Sequence, residues 1–124
     1  MNALLFTVFI LISGNSMAPT LREGQRVEAE TLTDTTTLNL NDIVVFQFAV
    51  RESKGLMPLV KRIVGVEGDS LNLFNPPKWV TWETIPRDMY FVQSDNKATR
   101  YDSRHFGLVA RNRMKWRVKP KREE

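Results

Sequence analysis

Residues 42–50 read DIVVFQFAV and residues 58–66 read PLVKRIVGV, the second run closed by Glu67-Gly68-Asp69. Both runs are short, β-branched and aromatic, which suits strands rather than helices. The three residues that follow are turn formers. Outward from this pair, residues 89–93 (MYFVQ) read as another short strand, and residues 107–111 and 114–118 as two more. Residues 70–74 alternate Leu71 and Leu73 around Asn72 and read as a strand, before Asn75-Pro76-Pro77 breaks the pattern. Residues 31–37 are polar and Thr-rich and read as a loop, as do residues 51–55. Few windows keep helical spacing for ten residues. The expected fold is mostly β, a single compact domain of coiled antiparallel sheets with no internal repeat.

Composition narrows the chemistry. A chain of 124 residues with 42% hydrophobic and 26% charged residues is apolar enough to fold, as one modest domain. It has no cysteine, so neither a disulfide framework nor a thiolate zinc site is available. His105 is the only histidine, which excludes a multi-histidine metal site. No cofactor is expected. The net charge of +4 is unevenly placed: residues 104–122 hold eight basic residues and no acid. That stretch suits either an anionic lipid surface or a solvated strand and tail. Nucleic acid is not an expected partner, because no recognition-helix pattern appears and Trp116 is the only aromatic in the tail able to stack.

Residues 3–12 (ALLFTVFILI) are apolar except Thr7. A membrane-spanning helix needs about 20 apolar residues, so this run alone is too short. Met1-Asn2 supply no basic n-region for a signal peptide. The Val, Ile and Phe content favours a strand buried on both faces. The competing reading is a truncated or partner-completed membrane anchor. The chain thus divides into an apolar segment 1–12, a domain over 13–118 and a charged tail 119–124.

Three features carry chemistry. In residues 13–21 (SGNSMAPTL) a serine follows a glycine-containing bend, which can expose both its hydroxyl and its backbone N–H. Lys61 interrupts an apolar strand, with Leu59 and Ile63 on its face. Burying an ammonium is costly. Such a lysine either reaches out to solvent or loses its proton, because desolvation lowers its pKa. A neutral amine can then take a proton from a serine hydroxyl. Third, Asp102 and Arg104 are spaced to brace a loop as a charge-assisted pair.

Residues 13–21, 41–46 (NDIVVF), 60–69 (VKRIVGVEGD) and 89–109 (MYFVQSDNKATRYDSRHFGLV) resemble, in order, the boxes of the type I signal peptidases, which are Ser-Lys endopeptidases on a mostly β fold. The resemblance implies Ser16 as nucleophile and Lys61 as general base. It implies Asp102 and Arg104 as a structural ion pair near the site, followed by Gly107, and it places Met17 and Pro19 at the substrate cleft. Gly14 stands where many relatives have a serine that helps the oxyanion hole, which leaves the second oxyanion donor unassigned. Ser94-Asp95-Asn96 stands for the more frequent Gly-Asp-Asn. Arg100 stands where many relatives have a serine that orients the lysine; either Arg100 depresses the Lys61 pKa further, or Thr99 supplies the missing hydroxyl.

The implied activity is removal of signal peptides from exported preproteins through an acyl-enzyme. The substrates would be extended and carry small residues before the cut. Membrane lipid and a membrane-anchored partner subunit are compatible with it. The site would face the extracytoplasmic side of a bacterial plasma membrane, or lie at the mitochondrial inner membrane. Two alternatives share the fold: a degenerate module that grips extended peptides without cutting, and a self-cleaving repressor-type peptidase, for whose DNA-binding domain the residues before Ser16 leave no room. A triad through His105 and Asp102 is a third mechanism. Ser94-Asp95-Asn96-Lys97 mimics penicillin-recognising motifs, but no K-T-G accompanies it.

Overall fold

The computed structural model describes residues 7–49 and 56–120. Seven strands form one antiparallel sheet: β1 (Thr7–Leu11), β2 (Arg26–Thr31), β3 (Ile43–Ala49), β4 (Leu56–Gly65), β5 (Met89–Gln93), β6 (Val109–Ala110) and β7 (Met114–Val118). Their spatial order is β1-β2-β7-β3-β4-β5-β6. One helical turn, α1 (Ser103–Phe106), lies between β5 and β6. The mostly β expectation holds. The expected loop at residues 51–55 lies outside the described residues.

The two runs that open the sequence are β3 and β4, paired in register from Ile43 opposite Arg62 to Ala49 opposite Leu56. Their apolar runs are continuous because the middle of the sheet is covered on both faces. Val44 and Phe46 join Leu38, Ile63, Val92, Val109 and Met114 on one side. Val45 joins Ile12, Met17, Leu21, Val27 and Val118 on the other. Burying a side chain such as Phe46, which is 0% exposed, contributes about 1.5–3 kcal/mol. A third cluster of Leu71, Ile85 and Phe91 closes the far end.

Three expectations need correction. The stretch containing β1 is not buried on both faces: among the described residues it is an edge strand paired only with β2, and Phe9 and Leu11 are exposed. Residues 70–74 are not a strand; Leu71–Leu73 make a single 3-10 turn that sends Leu71 into the third cluster and Leu73 into solvent. The strand β2 lies in a stretch that carries no strand signal beyond Val27 and Ala29, its two buried residues. It is held by register with β1 and β7 and by the cross-strand pair of Arg117 with Glu30.

The basic C-terminal stretch is partly consumed inside the fold. Arg117 Nη1 also donates to the Thr37 carbonyl and to Asp42. Arg111 Nη2 donates to the carbonyls of Thr33 and Thr36, and Lys119 Nζ to Thr7 Oγ1.

Gly65 closes β4 opposite Phe91, beyond a shift in register. A Cβ there would lie 2.7 Å from Ile85 Cδ1 and 3.0 Å from the Phe74 ring. Because Ile85 is itself buried, it cannot step aside freely. Gly65→Ala is expected to cost about 1–3 kcal/mol by overpacking. A thermal melt checks this, and an unchanged Tm would show that the third cluster is looser than its contacts suggest.

Candidate active site

Lys61 lies on the covered face of β4, opposite Val44 of β3 and two residues before Ile63. It is 2% exposed. Alternation along the strand dictates this: Ile63 must point into the first cluster, so Lys61 points the same way. Burial lowers the amine pKa below its ordinary 10.5, and the Asp102 charge draws it part of the way back.

Asp102 is fully buried and caps α1. Its Oδ1 accepts from the backbone N–H and the Nε of Arg104, at 3.1 and 3.0 Å. Its Oδ2 accepts from Arg104 Nη2 at 2.7 Å and from the Ser94 N–H at 3.0 Å. Burial pushes its carboxyl pKa up, but the hydrogen bonds from Arg104 and Ser94, with the Arg104 charge, hold it below the ordinary value. Ser103 is also buried, and its Oγ accepts the Val92 N–H at 2.8 Å. The 102–104 turn is thereby fastened to β5 and to the residues that continue it. Both carboxylate oxygens are engaged with Arg104 and Ser94. His105 is exposed and stacks against Tyr101, so the triad reading finds no support in the geometry.

Residues 94–96 join the parts. Asp95 pairs with Arg62 through two hydrogen bonds of 2.8 and 2.7 Å. Burial raises the Asp95 pKa, and these contacts bring it below its usual value. The Asn96 N–H donates to the Ser16 carbonyl at 2.9 Å, and Asn96 Nδ2 donates to the Asn15 carbonyl at 2.9 Å. One three-residue segment thus ties the Ser16 turn to β4 and to the 102–104 turn. The sequence reading missed this role. Its only signal was the departure from Gly-Asp-Asn. Ser94 Oγ is buried without a hydrogen-bond partner, a state that costs about 1–3 kcal/mol.

The remaining site residues fall as follows. Ser16 is half-buried in the turn between β1 and β2. Met17 is 1% exposed and packs in the second cluster. Its packing there anchors the Ser16 turn to the sheet. Pro19 is exposed. Gly14 holds φ +84°, a conformation that suits glycine, and its N–H reaches Glu23 Oε1 at 3.4 Å. Arg100 is exposed and is not among the charges acting on Lys61. Thr99 contributes backbone: its N–H donates to the Asn96 carbonyl, and its own carbonyl accepts from Arg104 Nη2 at 3.1 Å. Gly107 caps α1, its N–H donating to the Ser103 carbonyl.

A mostly β sheet with a buried lysine on a strand, and a serine in a turn tied to the same sheet through Asn96, suits a serine-type peptidase, and comparison with known families agrees that the chain is a peptidase. The family model "Signal peptidase, peptidase S26" matches residues 2–77 and 70–119, and the chain belongs to that family. It is therefore a peptidase of the signal-peptide-processing class. Similar proteins include signal peptidase I U of Bacillus subtilis, 26% identical over 83% of this chain and 71% of that protein. The mitochondrial ATP-independent inner membrane protease subunit 1b of Arabidopsis thaliana is 36% identical over 86% of this chain and 67% of that protein. Mitochondrial inner membrane protease subunit 1 of Xenopus tropicalis is 29% identical over 81% of this chain, which spans only 59% of that protein. Among the described residues, no helix is long and apolar enough to cross a membrane.

Proposed function

We propose that this chain cuts signal peptides from exported proteins with a Ser16–Lys61 dyad, at a membrane. Ser16 Oγ attacks the scissile carbonyl while the neutral Lys61 amine takes the hydroxyl proton. The Ser16 N–H stabilises the oxyanion, a contribution of about 3–4 kcal/mol per donor. Lys61 then passes its proton to the leaving amine, and the acyl group remains on Ser16. In the second half Lys61 draws a proton from water, which attacks the ester and frees Ser16.

The observation that carries this reading is Lys61 itself. A lysine 2% exposed among aliphatic side chains, its cation disfavoured by burial, is an expense that a merely structural strand does not need. Substrate would lie extended along the free edge of β1, which runs directly into the Ser16 turn. Small side chains at the first and third positions before the cut follow the usual cleavage pattern of signal peptides. The exposed Phe9 and Leu11 on that strand support a site held close to lipid. The membrane is the bacterial plasma membrane on its extracytoplasmic face, or the mitochondrial inner membrane, which the name of the Arabidopsis relative carries.

The test is cleavage of a preprotein in vitro by the wild-type chain and by Ser16→Ala. The wild type should cut and the variant should not. Activity should climb with pH as Lys61 sheds its proton, so the acid limb of kcat/KM lies below 10.5. A profile flat between pH 6 and the alkaline end would refute Lys61 as the base. Absence of cleavage at every pH would instead favour the peptide-gripping module.

A further inference from the structure

Ser94 is the one described residue with a fully buried side-chain oxygen or nitrogen that lacks a hydrogen-bond partner. Its neighbours explain why the fold keeps a hydroxyl there. Arg62 stands opposite Gln93, and Ile63 opposite Val92, across β4 and β5. Carried one residue further, the same ladder sets Lys61 opposite Ser94. Directly opposed residues of an antiparallel pair point to the same face, with Cβ atoms about 5 Å apart. The burial agrees, since Lys61, Ile63, Val92 and Ser94 are all buried. A third point fixes the placement: Asp102 Oδ2 accepts the Ser94 N–H, and the same carboxylate is the charge felt by Lys61.

We propose that Ser94 Oγ is the positioning group of the base: it accepts a hydrogen bond from the Lys61 amine and so turns the lone pair of that amine toward Ser16 Oγ. The proposal rests on the reading of Lys61 as general base. A lysine amine at the end of four rotatable bonds needs such a partner, because Asp102 attracts it without fixing which way its lone pair faces. Asp102 cannot do both, since its oxygens already serve Arg104 and two backbone N–H groups. Arg100 and Thr99 do not compete for the role: the first is exposed and the second is held by its backbone. The charged groups around Lys61 are Asp102 and Arg104 on the turn, and the Arg62–Asp95 pair on the other side of the strands. Removing the Ser94 hydroxyl leaves all of them in place.

Two variants without the hydroxyl, Ser94→Ala and Ser94→Gly, test this. The first readout needs no substrate: NMR titration of the Lys61 side chain in the intact chain, assigned with Lys61→Met. An acceptor favours the ammonium, so its loss should lower the midpoint by about half a pH unit, equally in both variants. The second readout is cleavage of a preprotein, where kcat should fall about tenfold with KM little changed. A packing role would instead order the variants by size, with alanine close to serine and glycine worse. The melting temperature of Ser94→Ala should fall by no more than a few degrees, because one side-chain hydrogen bond contributes only about 0.5–1.5 kcal/mol. Unmoved midpoints, or wild-type kcat in Ser94→Ala, overturn the proposal while Lys61→Met remains inactive. If Lys61→Met still cleaves, the general-base reading fails, and the proposal falls with it.

Discussion

Replacing Lys61 with methionine is expected to lower kcat by about three orders of magnitude and to leave the fold intact or firmer. General-base catalysis contributes about 10²–10⁴-fold, and here no second base is at hand, since His105 faces solvent against Tyr101. Methionine is close to lysine in length and carries no charge into the first cluster. The same variant has a signature in stability. Wild-type Lys61 has its pKa lowered by burial in the folded chain from 10.5. Between the lowered value and 10.5 the unfolded chain binds the extra proton, so wild-type stability rises with pH across that window. Lys61→Met should lack that rise. Urea unfolding at several alkaline pH values checks it, and parallel slopes for the two proteins would mean that the amine is solvated and cationic after all.

Truncating Arg104 to alanine should destabilise the domain by about 3 kcal/mol, from a total of about 5–15. Asp102 is 0% exposed and keeps only backbone donors once the guanidinium is gone. The cost arises from the stranded carboxylate more than from the lost contacts. For a domain of this size the Tm should drop by about 10 °C. The deficit should shrink in acid. Asp102 has its folded pKa lowered from 3.8, so the stability it supplies is complete above 3.8 and is lost as pH falls through the lowered value. Arg104→Lys should recover only part of the loss, because an ammonium cannot reproduce the two-pronged contact. A loss below about 1 kcal/mol at neutral pH would make this an ordinary surface pair.

What could be read from the sequence follows physical lines. Lys61 announced itself because an ammonium among alternating Leu59, Ile63 and valines has no ordinary explanation. Asp102 and Arg104 were legible as a pair two residues apart. The β3–β4 ladder was legible because both runs are β-branched throughout. Burial of β1 was misjudged because composition cannot tell a central strand from an edge. That is decided by topology, and here nothing pairs with the outer side of β1 among the described residues. The strand β2 was invisible because two apolar residues, Val27 and Ala29, make too short an alternation. The joining role of residues 94–96 was hidden for another reason. Most of its contacts run to or from backbone groups, at Asn15, Ser16 and the Ser94 N–H, and backbone atoms leave no mark in a sequence.

The place of β7 has a consequence for how the sheet holds together. Residues 114–118 are inserted between β2 and β3, so in the sheet the β1–β2 ribbon around Ser16 meets the β3–β4 ribbon bearing Lys61 through this strand. Loosening β7 would therefore part the two halves of the ladder while leaving the pairing within each ribbon untouched.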